Sequence, residues 1–152
     1  CISFGYTGDG CFARAHKMKQ IMENQYSYTC YKVFHYGQNY TAGQANLRAK
    51  PGSCCTKWIY HVAPLVRVGT ASSYTEYVFD PSLFTTPVSR STWIAAQLNT
   101  TCGSVSSYLA VTTPGSYYAP TSDYTSYVSD NSYALTNAWL NGNNYKTGCT
   151  GY

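Results

Sequence analysis

The spacing of apolar residues predicts an amphipathic helix near the start of the chain, over residues 11–24. The turn residues Asp9 and Gly10 precede it, and apolar positions then recur at helical intervals, at Cys11, Ala15, Met18 and Ile21 or Met22. The basic residues of this segment lie largely off that stripe and are expected to face solvent: Arg14, Lys17 and Lys19. Cys11 is therefore expected in the first turn of a helix whose other side enters the core.

Two strands joined by a turn are predicted in the middle of the chain. Residues 57–68 are rich in Trp, Ile, Tyr and Val, residues 69–73 form the turn, and residues 74–79 form the second strand. Asp80 and Pro81 end that strand. Residues 37–53 contain several glycines and a proline, and are predicted to be a loop.

The second half of the chain predicts shorter elements. A helix over residues 91–98 would be capped by Ser91. Strands are expected over residues 105–112, 117–118 and 124–128, with a further helix over residues 134–140. One early helix followed mostly by strands predicts an α+β fold. The length of 152 residues suits one core rather than two, so residues 1–152 are predicted to form a single domain.

Composition excludes several classes of protein. Charged residues make up only 11% of the chain and tyrosine supplies 17 positions, whereas disordered chains have the opposite balance. No apolar run approaches the ~18 residues of a membrane span, so no membrane partner is expected. The net charge of +4 comes from scattered residues without a basic block, which argues against nucleic-acid binding.

The seven cysteines indicate an extracellular protein with at least one unpaired thiol. In an oxidising compartment most cysteines are paired, and seven is an odd number. The spacings lack the Cys-x2-Cys pairs typical of zinc sites, and neither a metal nor another cofactor is expected. Because the chain begins at Cys1 without Met, it is interpreted as a processed or trimmed product.

Cys11 is the candidate for the unpaired, reactive thiol. A helix N-terminus carries partial positive charge that stabilises a thiolate, and Arg14 and Lys17 add to it. The N–H groups there, including that of Cys11, could also hold an oxyanion. The alternative is that Cys11 is a disulfide partner or an inert buried thiol.

A nucleophilic thiol needs a base, and His61 is the best of three histidines. His16 follows Cys11 by five residues, roughly 140° around the helix, so it is expected to point elsewhere, as a surface or supporting residue. His35 has no acidic neighbour and is interpreted as structural. His61 lies in an apolar strand, where an imidazole without a partner would be costly.

The hairpin supplies that partner if its turn is centred between Thr70 and Ala71. Opposed residue numbers would then sum to 141, which places His61 opposite Asp80 with Cβ atoms ~5 Å apart on one face. A carboxylate there would orient the imidazole, as in a catalytic triad. A bulge at Pro64 would instead put the two on opposite faces. The alternative interpretation of this pair is a His–Asp hydrogen bond with a purely structural role.

The remaining aromatic residues are expected mainly in the core, in a cleft wall or on strand surfaces. Trp58 and Trp93 are expected in the core or a cleft wall. The tyrosine-rich second half is expected to form strand surface and core, with a carbohydrate-binding platform as the alternative.

Four blocks of sequence resemble bacterial protein-glutaminases, secreted enzymes that deamidate glutamine side chains in intact proteins. They are residues 10–18 (GCFARAHKM), 54–66 (CCTKWIYHVAPLV) and 80–84 (DPSLF), with a weaker block at 99–104 (NTTCGS). The resemblance implies a catalytic triad of Cys11, His61 and Asp80, and a papain- or transglutaminase-like core with the nucleophile helix packed on an antiparallel sheet.

The resemblance also implies how such an enzyme would work. We expect deamidation of protein or peptide glutamine through a γ-thioester, by a monomeric, mature form from which an inhibitory pro-segment has been removed. Trp58 and Tyr60 are expected to line the glutamine slot. A papain-like protease, a transglutaminase and a non-catalytic binding domain are the alternatives.

With Cys11 reserved, the other six cysteines are expected to form three disulfides among themselves: Cys1, Cys30, Cys54, Cys55, Cys102 and Cys149. A bond between the adjacent Cys54 and Cys55 would strain the chain and is discounted.

Overall fold

The computed structural model describes residues 2–143, 146 and 148. Its helices are α1 (Cys11–Tyr26), α2 (Arg90–Ala95) and α3 (Ala134–Asn143). Its strands are β1 (Cys30–Gly37), β2 (Leu47–Ala49), β3 (Thr56–Trp58), β4 (Tyr60–Thr70), β5 (Ser73–Val78), β6 (Val88–Ser89), β7 (Ser107–Pro114), β8 (Tyr117–Pro120) and β9 (Tyr127–Ser129). The predicted α+β class is confirmed.

Five strands form the central antiparallel sheet, in the order β6-β5-β4-β1-β7. β1 lies between β4 and β7, with His35 opposite His61 in the register. The other strands form two separate pairs, β2 with β3 and β8 with β9. Helix α1 and the central sheet thus come from the first three quarters of the chain.

The sheet is covered on both faces, which buries β1 almost completely. On one face Ala15 of α1 packs with Phe34 and Val62. On the other, Trp93 of α2 packs with Val33 and Ala63. Because successive residues of a strand point to opposite faces, neighbours such as Val33 and Phe34 enter different halves of the core.

The sequence did not predict β1, because its buried residues are not all apolar. Lys32 is fully buried, and its ammonium donates to His16 Nδ1 and to the Tyr117 carbonyl. His16 Nε2 in turn donates to the Asp130 carbonyl at 2.9 Å. His16 was expected at the surface or as a supporting residue, and the surface alternative was wrong, since this network holds it in the core.

Arg14 was also expected in solvent, and it is buried instead. Its guanidinium donates to the Asp9 carbonyl at 2.6 Å and lies over the Trp139 ring at 5.8 Å. An arginine can be buried when its donors find acceptors, and a turn carbonyl and an aromatic face supply these here. The helical pattern of apolar residues therefore underestimated how much of the surface of α1 is buried in the protein.

α3 packs against the start of α1. The Asp130 carboxylate accepts from the Thr136 backbone N–H at 2.8 Å and hydroxyl at 2.7 Å, which secures the first turn of α3. Trp139 of α3 contacts Phe12, with ring centroids 5.6 Å apart. The C-terminal helix therefore supports the segment that carries Cys11.

Several predicted boundaries differ from the observed ones. Ser89, rather than Ser91, caps α2 by accepting from the Thr92 N–H at 3.1 Å. The strand predicted over residues 57–68 is divided into β3 and β4 at Ile59. The loop predicted over residues 37–53 contains β2 and a short 3-10 turn, Tyr40–Ala42.

The cysteines depart from the expectation of three disulfides. Cys55 bonds to Cys102, which excludes a bond between Cys54 and Cys55, and Cys54 is also disulfide-bonded. Cys30 is free and 4% exposed, because β1 carries it into a pocket beside Met22 and Val66. Three pairs among those six cysteines are therefore wrong, while Cys1 and Cys149 lie outside the described residues.

Across the described ranges, no helix combines the length and the apolar character needed to cross a bilayer.

Candidate active site

Cys11 is the first residue of α1, and its thiol is free and partly exposed. Gly10 precedes it with a φ of 78°, in the left-handed region that favours glycine. A Cβ at Gly10 would lie 1.9 Å from the Trp139 ring. Only glycine fits this cap, which places the thiol at the positive end of the helix dipole.

His61 and Asp80 meet as predicted, although the register that predicted it was wrong. Thr70 pairs with Ser73 and Leu65 with Val78, so the turn is centred between Ala71 and Ser72 and opposed numbers sum to 143. The error of two residues preserves the face of each side chain, because strand side chains alternate with a period of two. His61 Nε2 donates to Asp80 Oδ2 at 2.7 Å.

Asp80 is a buried carboxylate with several donors. Trp93 Nε1 donates to Oδ2 at 2.8 Å, and Ser82 donates its backbone N–H at 3.2 Å and its hydroxyl to Oδ1. Burial by itself raises the pKa of Asp80, but the positive charge of His61 and these donors outweigh it and lower the pKa. The carboxylate therefore stays ionised beside the imidazole.

His61 is held as a strong base between two indoles. Burial lowers the pKa of His61, but Asp80 and then Cys11 raise it, with the net result that the pKa rises to about 9. The imidazole stacks on Trp58 with centroids 4.1 Å apart and an 8° tilt, and Trp93 lies 5.5 Å away on a similar plane. Trp58 is itself fixed by its Nε1–H, which donates to the Thr7 carbonyl at 2.8 Å.

The second ring nitrogen of His61 is available to a thiol. A carboxylate only accepts hydrogen bonds, so Nε2 carries the proton and Nδ1 carries the lone pair in the neutral ring. Nδ1 is buried and makes no well-aligned hydrogen bond within the described part of the chain, yet Cys11 is near enough to raise the pKa of His61. This arrangement can take a proton from a thiol and return it to a leaving group.

A cavity of about 260 Å³ opens beside Cys11. Its other walls include Trp58 and Tyr60, the two residues predicted to line a glutamine slot, together with Ala45 and Ile59. Burial, followed by the nearby Cys11, raises the pKa of Tyr60, so its hydroxyl stays neutral. The walls are largely apolar, which suits the methylenes of an amide side chain.

The other two histidines take no part in this cluster. His35 is fully buried and shares hydrogen bonds with Gln97 Oε1 at 3.2 Å and Ser107 Oγ at 2.8 Å, in agreement with its structural interpretation. Burial lowers the pKa of His35 to about 4. Burial and the positive charge of Lys32 lower the pKa of His16 to about 4 as well. Both rings therefore stay neutral inside the fold near pH 7.

Sequence reasoning missed three residues that hold the site together. Trp93 was expected only in the core or a wall, whereas its N–H also binds Asp80. The supporting contacts of Thr7 and Ser82 were not predicted either, because they are made by a backbone carbonyl, a backbone N–H and a hydroxyl, which leave almost no pattern in the sequence. The only available signal was that Ser82 follows Asp80 by two residues, a spacing typical of Asx turns.

The fold and the site together define an α+β protein that carries a cysteine, histidine and aspartate cluster at a helix N-terminus. The sequence model of the glutaminase family matches residues 1–97, and the chain belongs to this family. No protein with a curated description matches the chain.

Solved structures of protein-glutaminase and its pro-form are similar over 99% of this chain. A crystal structure of protein-glutaminase is 42% identical with a TM-score of 0.84, and 77% of that chain is covered. The NMR structure of protein-glutaminase from Chryseobacterium proteolyticum is 42% identical with a TM-score of 0.82 and the same coverage. A crystal structure of pro-protein-glutaminase is 43% identical with a TM-score of 0.85. The present chain spans about half the length of the pro-protein-glutaminase chains.

Proposed function

We propose that residues 1–152 act as a single, monomeric catalytic domain that hydrolyses the side-chain amide of glutamine in intact proteins and peptides. The supporting observation is the bond from His61 Nε2 to Asp80, which leaves Nδ1 free beside the Cys11 thiol. Family membership and the 42% identity to protein-glutaminase structures favour this reaction over others that use the same three groups.

In the first half of the reaction His61 takes the Cys11 proton and the sulfur attacks the glutamine δ-carbon. The Cys11 N–H and a second donor stabilise the oxyanion of the tetrahedral intermediate. The imidazolium then gives its proton to the leaving nitrogen, ammonia departs and a γ-thioester remains. Asp80 stabilises the imidazolium throughout, which is consistent with the raised pKa of His61.

In the second half His61 removes a proton from water, and the resulting hydroxide attacks the thioester. The carbon–sulfur bond breaks, glutamate is released and the sulfur recovers its proton from the imidazolium. Trp58 and Tyr60 would line the slot for the two methylenes of glutamine. Asparagine is one methylene shorter and would lose ~0.8 kcal/mol of burial as well as its reach to the sulfur.

Two further aspects follow from the resemblance to protein-glutaminases. We propose that the protein is secreted, which fits its disulfides. We also propose that an inhibitory pro-segment covers the cavity before maturation, since two of the similar structures are pro-forms.

The test is incubation with an intact protein, with ammonia, fragments and crosslinks measured together. Wild type should release ammonia without fragmentation, and Cys11→Ala should release none. Cys30→Ala is the matched control, because it removes the other described free thiol and should keep the activity. Fragments would assign a papain-like protease and crosslinks a transglutaminase. Equal ammonia release by Cys11→Ala would exclude the thiol mechanism.

A further inference from the structure

A strip of four tyrosines runs from the Cys11 cavity to a second cavity. Tyr60 lies on the wall of the first cavity, and the strip continues through Tyr124 and Tyr40 to Tyr108. Consecutive ring centroids are 6.2, 5.8 and 5.6 Å apart, so each ring contacts the next. An extended peptide of about five residues at ~3.3 Å each covers the same path.

The second cavity lies at the far end of this tyrosine strip, and its volume of about 240 Å³ suits one side chain. Ligand sites for whole small molecules usually exceed about 300 Å³. It is lined by the uncharged residues Gln38, Asn39, Tyr40, Thr41 and Tyr108. Tyr108 is 55% exposed, so its ring is accessible from solvent. This lining of two tyrosine rings with uncharged amide and hydroxyl groups suits an uncharged aromatic side chain as the occupant of the cavity.

The backbone around the tyrosine strip is strained. Tyr124 has a φ of 58° and Asn39, next to Tyr40, has a φ of 57°. Such left-handed conformations are uncommon for residues other than glycine, although asparagine adopts them more readily than tyrosine. The fold keeps both, and at Tyr124 the result is a ring placed between Tyr60 and Tyr40.

We propose that the tyrosine strip binds the polypeptide on one side of the reactive glutamine, and that the second cavity accepts an aromatic side chain three to five residues away. The occupant is the substrate chain itself, because the strip is continuous with the wall of the cavity that holds Cys11. This inference rests on the proposed glutamine deamidation and specifies which glutamines are preferred.

The experiment uses uncharged peptides with one glutamine and either Phe or Ala at each position from two to five residues on both sides. Ammonia release by the wild-type protein gives kcat/KM for every peptide. We expect Phe to exceed Ala by about three- to tenfold at one spacing of three to five residues, mainly through KM, since ring pairs contribute this much.

Tyr108→Ala should bring that Phe-to-Ala ratio close to one. Tyr26→Ala is the matched control, because Tyr26 is 64% exposed and lies at the end of α1, outside the strip, so the ratio should persist. The proposal is overturned if wild type shows no preference at any spacing, if the ratio survives in Tyr108→Ala, or if Tyr26→Ala also loses it. A concentration-dependent mass in ultracentrifugation that Tyr108→Ala abolishes would assign the strip to a second copy of this chain instead.

The two proposals fail in different ways. Ammonia released equally from Phe and Ala peptides, and only by proteins with Cys11, would overturn the strip and leave the deamidation in place. No ammonia from any peptide or protein would overturn both.

Discussion

Replacing Trp93 with Phe tests whether the indole N–H holds the Asp80 carboxylate. Trp93 is fully buried, donates to Asp80 Oδ2 at 2.8 Å and lies 5.5 Å from the His61 ring. Phenylalanine keeps an aromatic ring there but removes the donor. Because Oδ2 also accepts from His61, the substitution acts on the oxygen that orients the imidazole.

The magnitude follows from the bond that is lost. A hydrogen bond to a charged group contributes about 1.5–3 kcal/mol, and the smaller ring forfeits roughly another 1–2 kcal/mol of packing. We therefore expect the free energy of unfolding to fall by about 3–5 kcal/mol. A carboxylate that is less firmly held orients His61 less well, so kcat should fall about tenfold, equivalent to ~1.4 kcal/mol, with KM nearly unchanged.

Denaturant unfolding gives the stability, and ammonia release under conditions where circular dichroism shows the variant to be folded gives kcat. Ser82→Ala is the control, because its hydroxyl donates to Oδ1, the oxygen that does not contact His61. It should lower stability by about 1.5–3 kcal/mol and leave kcat within about threefold. A folded Trp93→Phe variant with wild-type kcat would refute the orienting role of the indole.

Three other predictions test the site and its support. In the proposed mechanism the proton taken from Cys11 resides on His61 below its pKa of about 9, so activity should decline above that pH, where the leaving nitrogen has no proton donor. Asp80→Asn removes a charge that raises this pKa, so the alkaline limb of its residual pH–rate profile should move to lower pH, and an unmoved limb would contradict the assignment. Gly10→Ala should cost at least about 2 kcal/mol of stability in thermal unfolding, because the new Cβ meets the Trp139 ring at 1.9 Å, and adding Trp139→Ala should recover part of the loss. Replacing Cys55 and Cys102 with Ser opens a link across 47 positions and should lower the free energy of unfolding by about 4 kcal/mol, with kcat preserved at low temperature; an equal loss of kcat there would mean that the link also shapes the cavity.

The sequence predicted the meeting of His61 and Asp80 better than it predicted the boundaries of the elements around them. The two elements that carry Cys11 and His61 follow simple periods, so their faces could be read from the chain. The pairing of His61 with Asp80 tolerated a register error of two residues because that error keeps both side chains on one face. An error of one residue would have separated them.

What the sequence did not predict is the set of polar residues inside the core. The helical pattern places Arg14 in solvent, because burying a charged group without partners is costly, and nothing in the sequence pattern indicates the burial of His16 or Lys32. Each of them has partners that come from distant parts of the chain: His16 reaches Asp130, and Lys32 reaches Tyr117. Such partners become visible only once α1, β1 and the C-terminal segment are packed together. The same packing sets Trp139 against Gly10, so the polar core that periodicity could not predict lies beside the turn that presents the thiol.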